Sequence, residues 1–146
     1  MPDRRLFLQF SRANRLLMAW VNAHAVDELG VSAAQLGTLY YVAKNPHCSA
    51  SDVANVLDLN KSAMSSMVSR LERAGMLSRE PNPKDARGTL LSLTRKGEEV
   101  RARSLVLVRK LTVEMTAGFS ESEVDVVARF LAAVVERCGT SMEEKS

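Results

Sequence analysis

The chain is poor in the residues on which several protein classes depend. It holds two cysteines in 146 residues, and Cys48 and Cys138 are too few and too far apart for a disulfide scaffold or a four-cysteine zinc site. Two histidines, His24 and His47, leave few bases that titrate near neutral pH. A glycine-rich phosphate loop, a G-x-S-x-G elbow and an H-E-x-x-H pair are all lacking, so neither an enzyme nor a cofactor is expected. His24 with Glu28, and His47 beside Cys48, each fall short of a metal-ligand set, and no metal is expected. Charge interrupts every apolar run well before the roughly 18 residues needed to cross a bilayer, and the N-terminal stretch has no signal-peptide pattern. A cytoplasmic protein without membrane attachment is the expectation.

What is present suits one compact domain. Hydrophobic residues make up 46% of the chain and charged residues 25%, enough apolar surface for a core. The net charge of +3 is unevenly spread: residues 58–103 carry ten basic and six acidic groups, whereas residues 104–146 carry five and seven. Positive charge confined to the middle of the chain is what a phosphate-binding surface needs, although it would equally suit a solvated basic face.

Apolar spacing of three and four predicts a long helix over residues 4–28, through Leu6, Phe10, Ala13, Leu17, Trp20, Val21 and His24, ended by Gly30. Ser32 and Gln35 form a capping box for a second helix to Lys44, stopped by Asn45-Pro46. Ser49 to Asp52 starts a short third helix through Asp58, with Val53, Ala54 and Leu57 on its apolar face. Asn60 caps a fourth, in which Met64, Met67, Val68 and Leu71 make an inward stripe and Gly75 takes the left-handed C-terminal position. Residues 77–80 and 89–93 read as strands flanking a turn-rich loop, 81–88, that holds Lys84 and Arg87. Thr94 caps a fifth helix to about Ala117, with Val100, Leu107, Leu111 and Met115 among its apolar positions. After Gly118, Ser120 and Glu123 form a capping box for a sixth helix carrying Val124, Val127, Leu131, Val134 or Val135, and Cys138. The tail, residues 139–146, is expected to be mobile. The first and sixth helices carry apolar faces without an obvious cover, and a second copy of the chain is the economical one.

A short helix, a tight turn and a helix with small polar residues outward is the pattern of a helix-turn-helix. The outer face of the fourth helix carries Lys61, Ser62, Ser65, Ser66, Ser69 and Arg73. Serine gains nothing there from helix propensity, because its hydroxyl competes for backbone hydrogen bonds. A helix entering a major groove about 12 Å wide does need small or donor-bearing residues outward and basic groups at its edges. Arg70 lies at the edge of the inward stripe, where phosphate contact and internal pairing are both open. The hairpin that follows makes the unit a winged helix, whose tip arginine can enter the minor groove, where negative potential concentrates.

The residues from Asn60 through Arg70-Leu-Glu72 to Gly75-Met-Leu77, and the wing pattern Asp85-Ala-Arg87 followed by Leu91-Ser-Leu93-Thr94 and Gly97, resemble the MarR family of winged-helix transcriptional regulators. The resemblance spans nearly the whole chain. It implies a mainly α fold with a small β-hairpin wing, a winged helix-turn-helix lobe over residues 31–103, and dimerisation helices over residues 1–30 and 104–146. It implies a homodimer built on the first, fifth and sixth helices and bound to a palindromic double-stranded DNA operator, with repression the family's usual mode. The candidate contacts are Asn60, Lys61, Ser62, Ala63, Ser65, Ser66, Ser69, Arg70, Arg73, Lys84, Asp85 and Arg87. Among them Arg87 is the minor-groove arginine and Asp85 its orienting partner. One departure is Asp58 in the turn, where many members have glycine; aspartate tolerates the left-handed conformation moderately well.

Family members often answer to a small aromatic or phenolic effector bound among the first, second and fifth helices. On this chain that makes Trp20, His24, Tyr40 and Tyr41 the candidates, set against the plainer reading that each is a core residue. Two rival functions are a redox-responsive regulator working through Cys48 or Cys138, and a winged-helix protein-interaction adaptor. The first helix has no cysteine where oxidant-sensing relatives carry theirs, and the basic middle segment argues against a pure adaptor.

Overall fold

In a computed structural model of the protein, which describes residues 4–143, the chain divides between Val108 and Arg109 into two compact units. The elements of the first are α1 (Arg4–Leu29), α2 (Ala33–Lys44), β1 (Cys48–Ser49), α3 (Ala50–Val56), α4 (Lys61–Arg73), β2 (Leu77–Asn82), β3 (Asp85–Leu93) and the part of α5 (Arg95–Thr116) that ends at Val108. The second holds the rest of α5 and α6 (Glu121–Glu143).

The helix starts follow from local hydrogen bonds. Ser32 and Gln35 exchange backbone and side-chain bonds of 2.8 and 3.1 Å, and Ser49 and Asp52 do the same at 3.1 Å each way. At α6 the Ser120 N–H donates to Glu123 Oε2 at 2.8 Å. Each such box satisfies backbone donors that a helix N-terminus leaves open. In the turn between α3 and α4, Asp58 takes the left-handed conformation at φ 52°, so aspartate does fill the place where glycine is commoner.

The core of the first unit joins Leu39 and Val42 of α2, Val53 of α3, Val68 and Leu71 of α4 and Leu91 of β3, all fully buried. Burial of each such side chain stabilises by roughly 1.5–3 kcal/mol, and together they seat α4 so that its other face is left to solvent. Met67, half-buried on the same stripe, receives a hydrogen bond from the buried Thr38 hydroxyl at 2.9 Å on Sδ.

Three boundaries differ from expectation. The hairpin is longer, because β2 runs through Pro81 to Asn82 and β3 begins at Asp85, so the segment read as a loop, 81–88, is mostly strand. The sheet order is β1-β3-β2, which puts Pro81 on an edge strand, the one place in a sheet where its missing N–H is tolerated. The strand β1 itself, Cys48 paired with Leu91 and Ser49 with Leu90, is too short to leave a period in the sequence. Finally, α3 ends at Val56 with Leu57 as its C-cap, and α6 continues to Glu143, into the segment expected to be mobile. A single interior glycine, Gly139, lowers helix propensity by about 1 kcal/mol without ending the helix. Residues 144–146 of that expected tail lie outside the described residues.

Candidate nucleic-acid interface

Helix α4 is held at both ends. At its start Asn60 Oδ1 accepts the Ala63 N–H at 2.8 Å, so the Asn60 side chain acts as the cap. At its end Gly75, at φ 74°, turns the chain into β2, and the first residues of α5 close over the junction. There Lys96 Nζ donates to the Ala74 carbonyl at 2.8 Å, the Thr94 hydroxyl donates to that of Gly75, and the Thr94 N–H donates to that of Met76 at 3.1 Å. These bonds satisfy the carbonyls of the C-cap and the two residues after it, while the N–H groups of Ala74, Gly75 and Met76 close the carbonyls of Arg70, Glu72 and Leu71.

On the outer face of α4, Lys61, Ser62, Ser65, Ser66, Arg70 and Arg73 are exposed, whereas Ala63 and Ser69 are half-buried and offer less to a partner. Exposure of Arg70 places it outside the core. Arg73 Nε donates weakly to the Ser69 carbonyl at 3.4 Å, which turns its stem back along the helix. In the wing, Lys84, Asp85 and Arg87 are all exposed. Asp85 Oδ1 accepts the backbone N–H of Arg87 at 3.0 Å, a bond that shapes the backbone at the tip. Asn82 Oδ1 accepts the Lys84 N–H at 3.0 Å in the same way.

A groove of about 630 Å³ runs between α3, the first half of α4 and the wing, and Lys61, Ser65, Arg79, Asn82, Asp85 and Arg87 are among the residues lining it. The helix and the hairpin tip thus stand on opposite walls of one concave surface. A helix in the major groove and a wing in the adjacent minor groove must straddle the sugar-phosphate backbone between them. This groove has the position and the cationic walls for that strand.

An ion pair at the edge of this surface escaped the sequence reading. Arg79 of β2 donates to Glu72 of α4 through Nε at 2.8 Å and through an amino nitrogen, both on Oε2. Strand alternation could have found it, since Arg79 lies two residues beyond the buried Leu77 and hence on the same side of β2; its partner Glu72 lies on another element, across Gly75, where no periodicity within one element reports the pairing.

Of the four effector candidates, Tyr40 and Tyr41 line a cleft of about 540 Å³ with Ala43, Lys44, Glu98 and Arg101. The Arg101 guanidinium sits 5.8 Å from the centre of the Tyr40 ring and pairs with Glu98. The same pairing holds the Glu98 carboxyl below the usual carboxylate range and raises Arg101. Ser104 donates to the Tyr40 hydroxyl at 2.8 Å. Trp20 and His24 are not brought into this cleft. Their rings stack at 3.8 Å, and His24 Nδ1 donates to the Trp20 carbonyl at 2.9 Å, while Trp20 packs against the core.

Among the described residues, no three His, Cys, Asp or Glu side chains converge as a group that could hold a metal ion. Cys48 is buried and Cys138 exposed. Burial and then the nearby Asp52 carboxylate push the Cys48 thiol above its ordinary value, which leaves little thiolate at neutral pH. In a Cys138→Ser background, Cys48 should therefore react with a thiol reagent at least about 100-fold more slowly in the native protein than in the urea-unfolded chain. Comparable rates in the two states would refute its protection.

The MarR family model matches residues 29–88 of this chain. The HTH-type transcriptional regulator BilQ of Clostridioides difficile is 33% identical over 107 residues, covering 73% of this chain and 72% of BilQ. The HTH-type transcriptional repressor MdtR of Bacillus subtilis is 26% identical over 122 residues, covering 84% and 78% of the two chains. Among solved structures, a mutant MarR from E. coli complexed with operator DNA is similar at a TM-score of 0.78 and 25% identity, covering 90% of this chain and 94% of that one. A second MarR structure reaches a TM-score of 0.82 at 22% identity, covering 99% and 95%.

Proposed function

The chain belongs to the MarR family of transcriptional regulators, and from that premise we propose that it is a homodimeric, sequence-specific repressor that a small-molecule effector releases from a palindromic operator. The observation that carries the DNA-binding part is the cationic groove walled by α4 on one side and the wing on the other. In this reading Ser62, Ser65 and Ser66 face bases in the major groove, Lys61, Arg70, Arg73 and Lys84 reach phosphates, and Arg87 enters the minor groove. The serine-rich face has no long side chain for bidentate base reading, so much of the specificity falls to DNA shape and to the wing. A regulator of this kind would work in the cytoplasm, where it meets its operator.

Dimerisation is supported by apolar side chains that a single chain leaves in solvent. Phe7 of α1 is 74% exposed and Val135 of α6 73%, a cost that a second copy removes. The terminal segments, residues 1–30 and 104–146, are the proposed dimerisation helices, and residues 31–103 the DNA-binding lobe. Two recognition helices about 34 Å apart would then meet successive major grooves. A dimer seated on a promoter blocks polymerase, which makes repression the natural sign.

The cleft over Tyr40 and Tyr41 suits an aromatic anion: two rings for stacking, and Lys44 and Arg101 against the one Glu98 carboxylate. A ligand there shifts the operator equilibrium only if it binds the DNA-free spacing of the two lobes better than the bound spacing. The rival redox reading has no support from Cys48, whose thiol is buried.

Selection from random double-stranded DNA tests the reading. The expected result is an inverted repeat with half-site centres about one helical turn apart, bound by two chains in sedimentation. A monomeric chain, or a pool that never converges, would contradict it.

A further inference from the structure

The hairpin and the recognition helix are separate elements, and DNA binding of the kind proposed above requires their tips to keep a fixed separation. Outward of Arg79, the side-chain hydrogen bonds found among the described residues close within the hairpin itself, from Asn82 to Lys84 and from Asp85 to Arg87. The register of the two strands also shifts between Pro81 and Asn82, just beyond Arg79. Residues 83–87 are exposed, so no core holds them.

Resting on that DNA-binding reading, we propose that Arg79 and Glu72 are positioning residues that tether the wing to the recognition helix, fixing how far the minor-groove arginine stands from the major-groove serines. Arg79 lines the groove between the two walls, and both its donating nitrogens converge on one oxygen of Glu72. The side chains keep 34% and 39% of their exposure, so the pair contributes little to global stability. Its consequence is local: it removes the hinge freedom that the wing would otherwise lose only on meeting DNA, and preorganisation of this kind appears as affinity.

Glu72→Gln separates the tether from simple charge. Removing a negative group beside the DNA should tighten binding if electrostatics alone mattered. The tether instead predicts operator binding roughly 3- to 10-fold weaker, with the salt slope unchanged because no phosphate contact is lost. Arg79→Lys keeps the positive charge and should weaken binding in the same direction without flattening the slope. A DNA-independent arm reads the geometry directly: nitroxide labels at Ser66→Cys and Lys84→Cys, in a Cys138→Ser background, report the distance between helix and wing. Glu72→Gln should broaden that distribution while leaving the melting temperature within a degree or two. An unbroadened distribution, or Glu72→Gln binding as tightly as the unaltered protein, overturns the tether. Failure of the unaltered protein to prefer any DNA sequence would instead overturn the DNA-binding reading, whatever the labels report about the wing.

Discussion

Gly97→Ala is expected to cost about 3 kcal/mol or more of stability, at the upper end of what overpacking does. A Cβ at position 97 would lie 2.1 Å from the Met76 carbonyl oxygen and 3.1 Å from its carbon, and both partners are backbone. Neither side has room to retreat. The Met76 carbonyl already accepts the Thr94 N–H, Leu77 is paired with Leu93, and Lys96 is bonded to the end of α4. Moving α5 away would therefore break the strap over the C-terminus of the recognition helix, and operator binding should fall together with stability. At roughly 2–4 °C per kcal/mol for a chain of this size, the melting temperature should drop by about 6–12 °C. Gly139→Ala is the control, because nothing lies within 4 Å of a Cβ there; in the interior of α6 it should be neutral or stabilise by up to about 1 kcal/mol. A melting temperature within a degree of the unaltered protein for Gly97→Ala would show that the α5 junction yields, contrary to its bonding.

Arg87→Ala is the change expected to weaken DNA binding most, by roughly 10- to 100-fold, since it removes a charge from a region of concentrated negative potential. A minor-groove arginine still lies close to the flanking phosphates, so losing one such charge from each of two chains should also reduce the slope of log affinity against log salt, by up to about 1.8. Ser65→Ala and Ser66→Ala should behave differently: they alter which bases are preferred, by less than the roughly 1–3 kcal/mol of a bidentate contact, and leave the salt slope alone. Equal effects on preference and on slope at both kinds of position would dissolve the division between base-reading serines and a wing that acts through its charge. Asp85→Ala should mimic part of the Arg87 loss, because it frees the backbone N–H that sets the tip.

Where a structural feature is local, the residues announce it. Ser32 with Gln35, Ser49 with Asp52, Asn60, and Ser120 with Glu123 each cap the helix that their spacing predicts, because a cap is settled within four residues. The inward stripe of α4 is equally legible, as its 3.6-residue period is the burial pattern itself. Features that depend on distant partners are hidden. The two-residue β1 exists only because Leu90 and Leu91 come alongside, and Pro81 is strand only because β2 is an edge. The same limit applies at the candidate site: Arg87 and the serines stand out by pattern, whereas Arg79 gains its role from a carboxylate on another element. Trp20 and His24, also conspicuous in the sequence, have a spacing of four that makes them partners of each other.

The measurement that bears most directly on DNA recognition is fluorescence anisotropy of the protein with the DNA upstream of its own gene and with scrambled DNA of equal length, each at two salt concentrations. Specific recognition by α4 and the wing requires tighter binding to the upstream DNA, a preference that survives the higher salt, and affinities that fall for both as salt rises. Equal affinity for the two DNAs at both salt concentrations would mean that the basic surface binds that DNA by charge alone, and would contradict sequence-specific control of the adjoining gene.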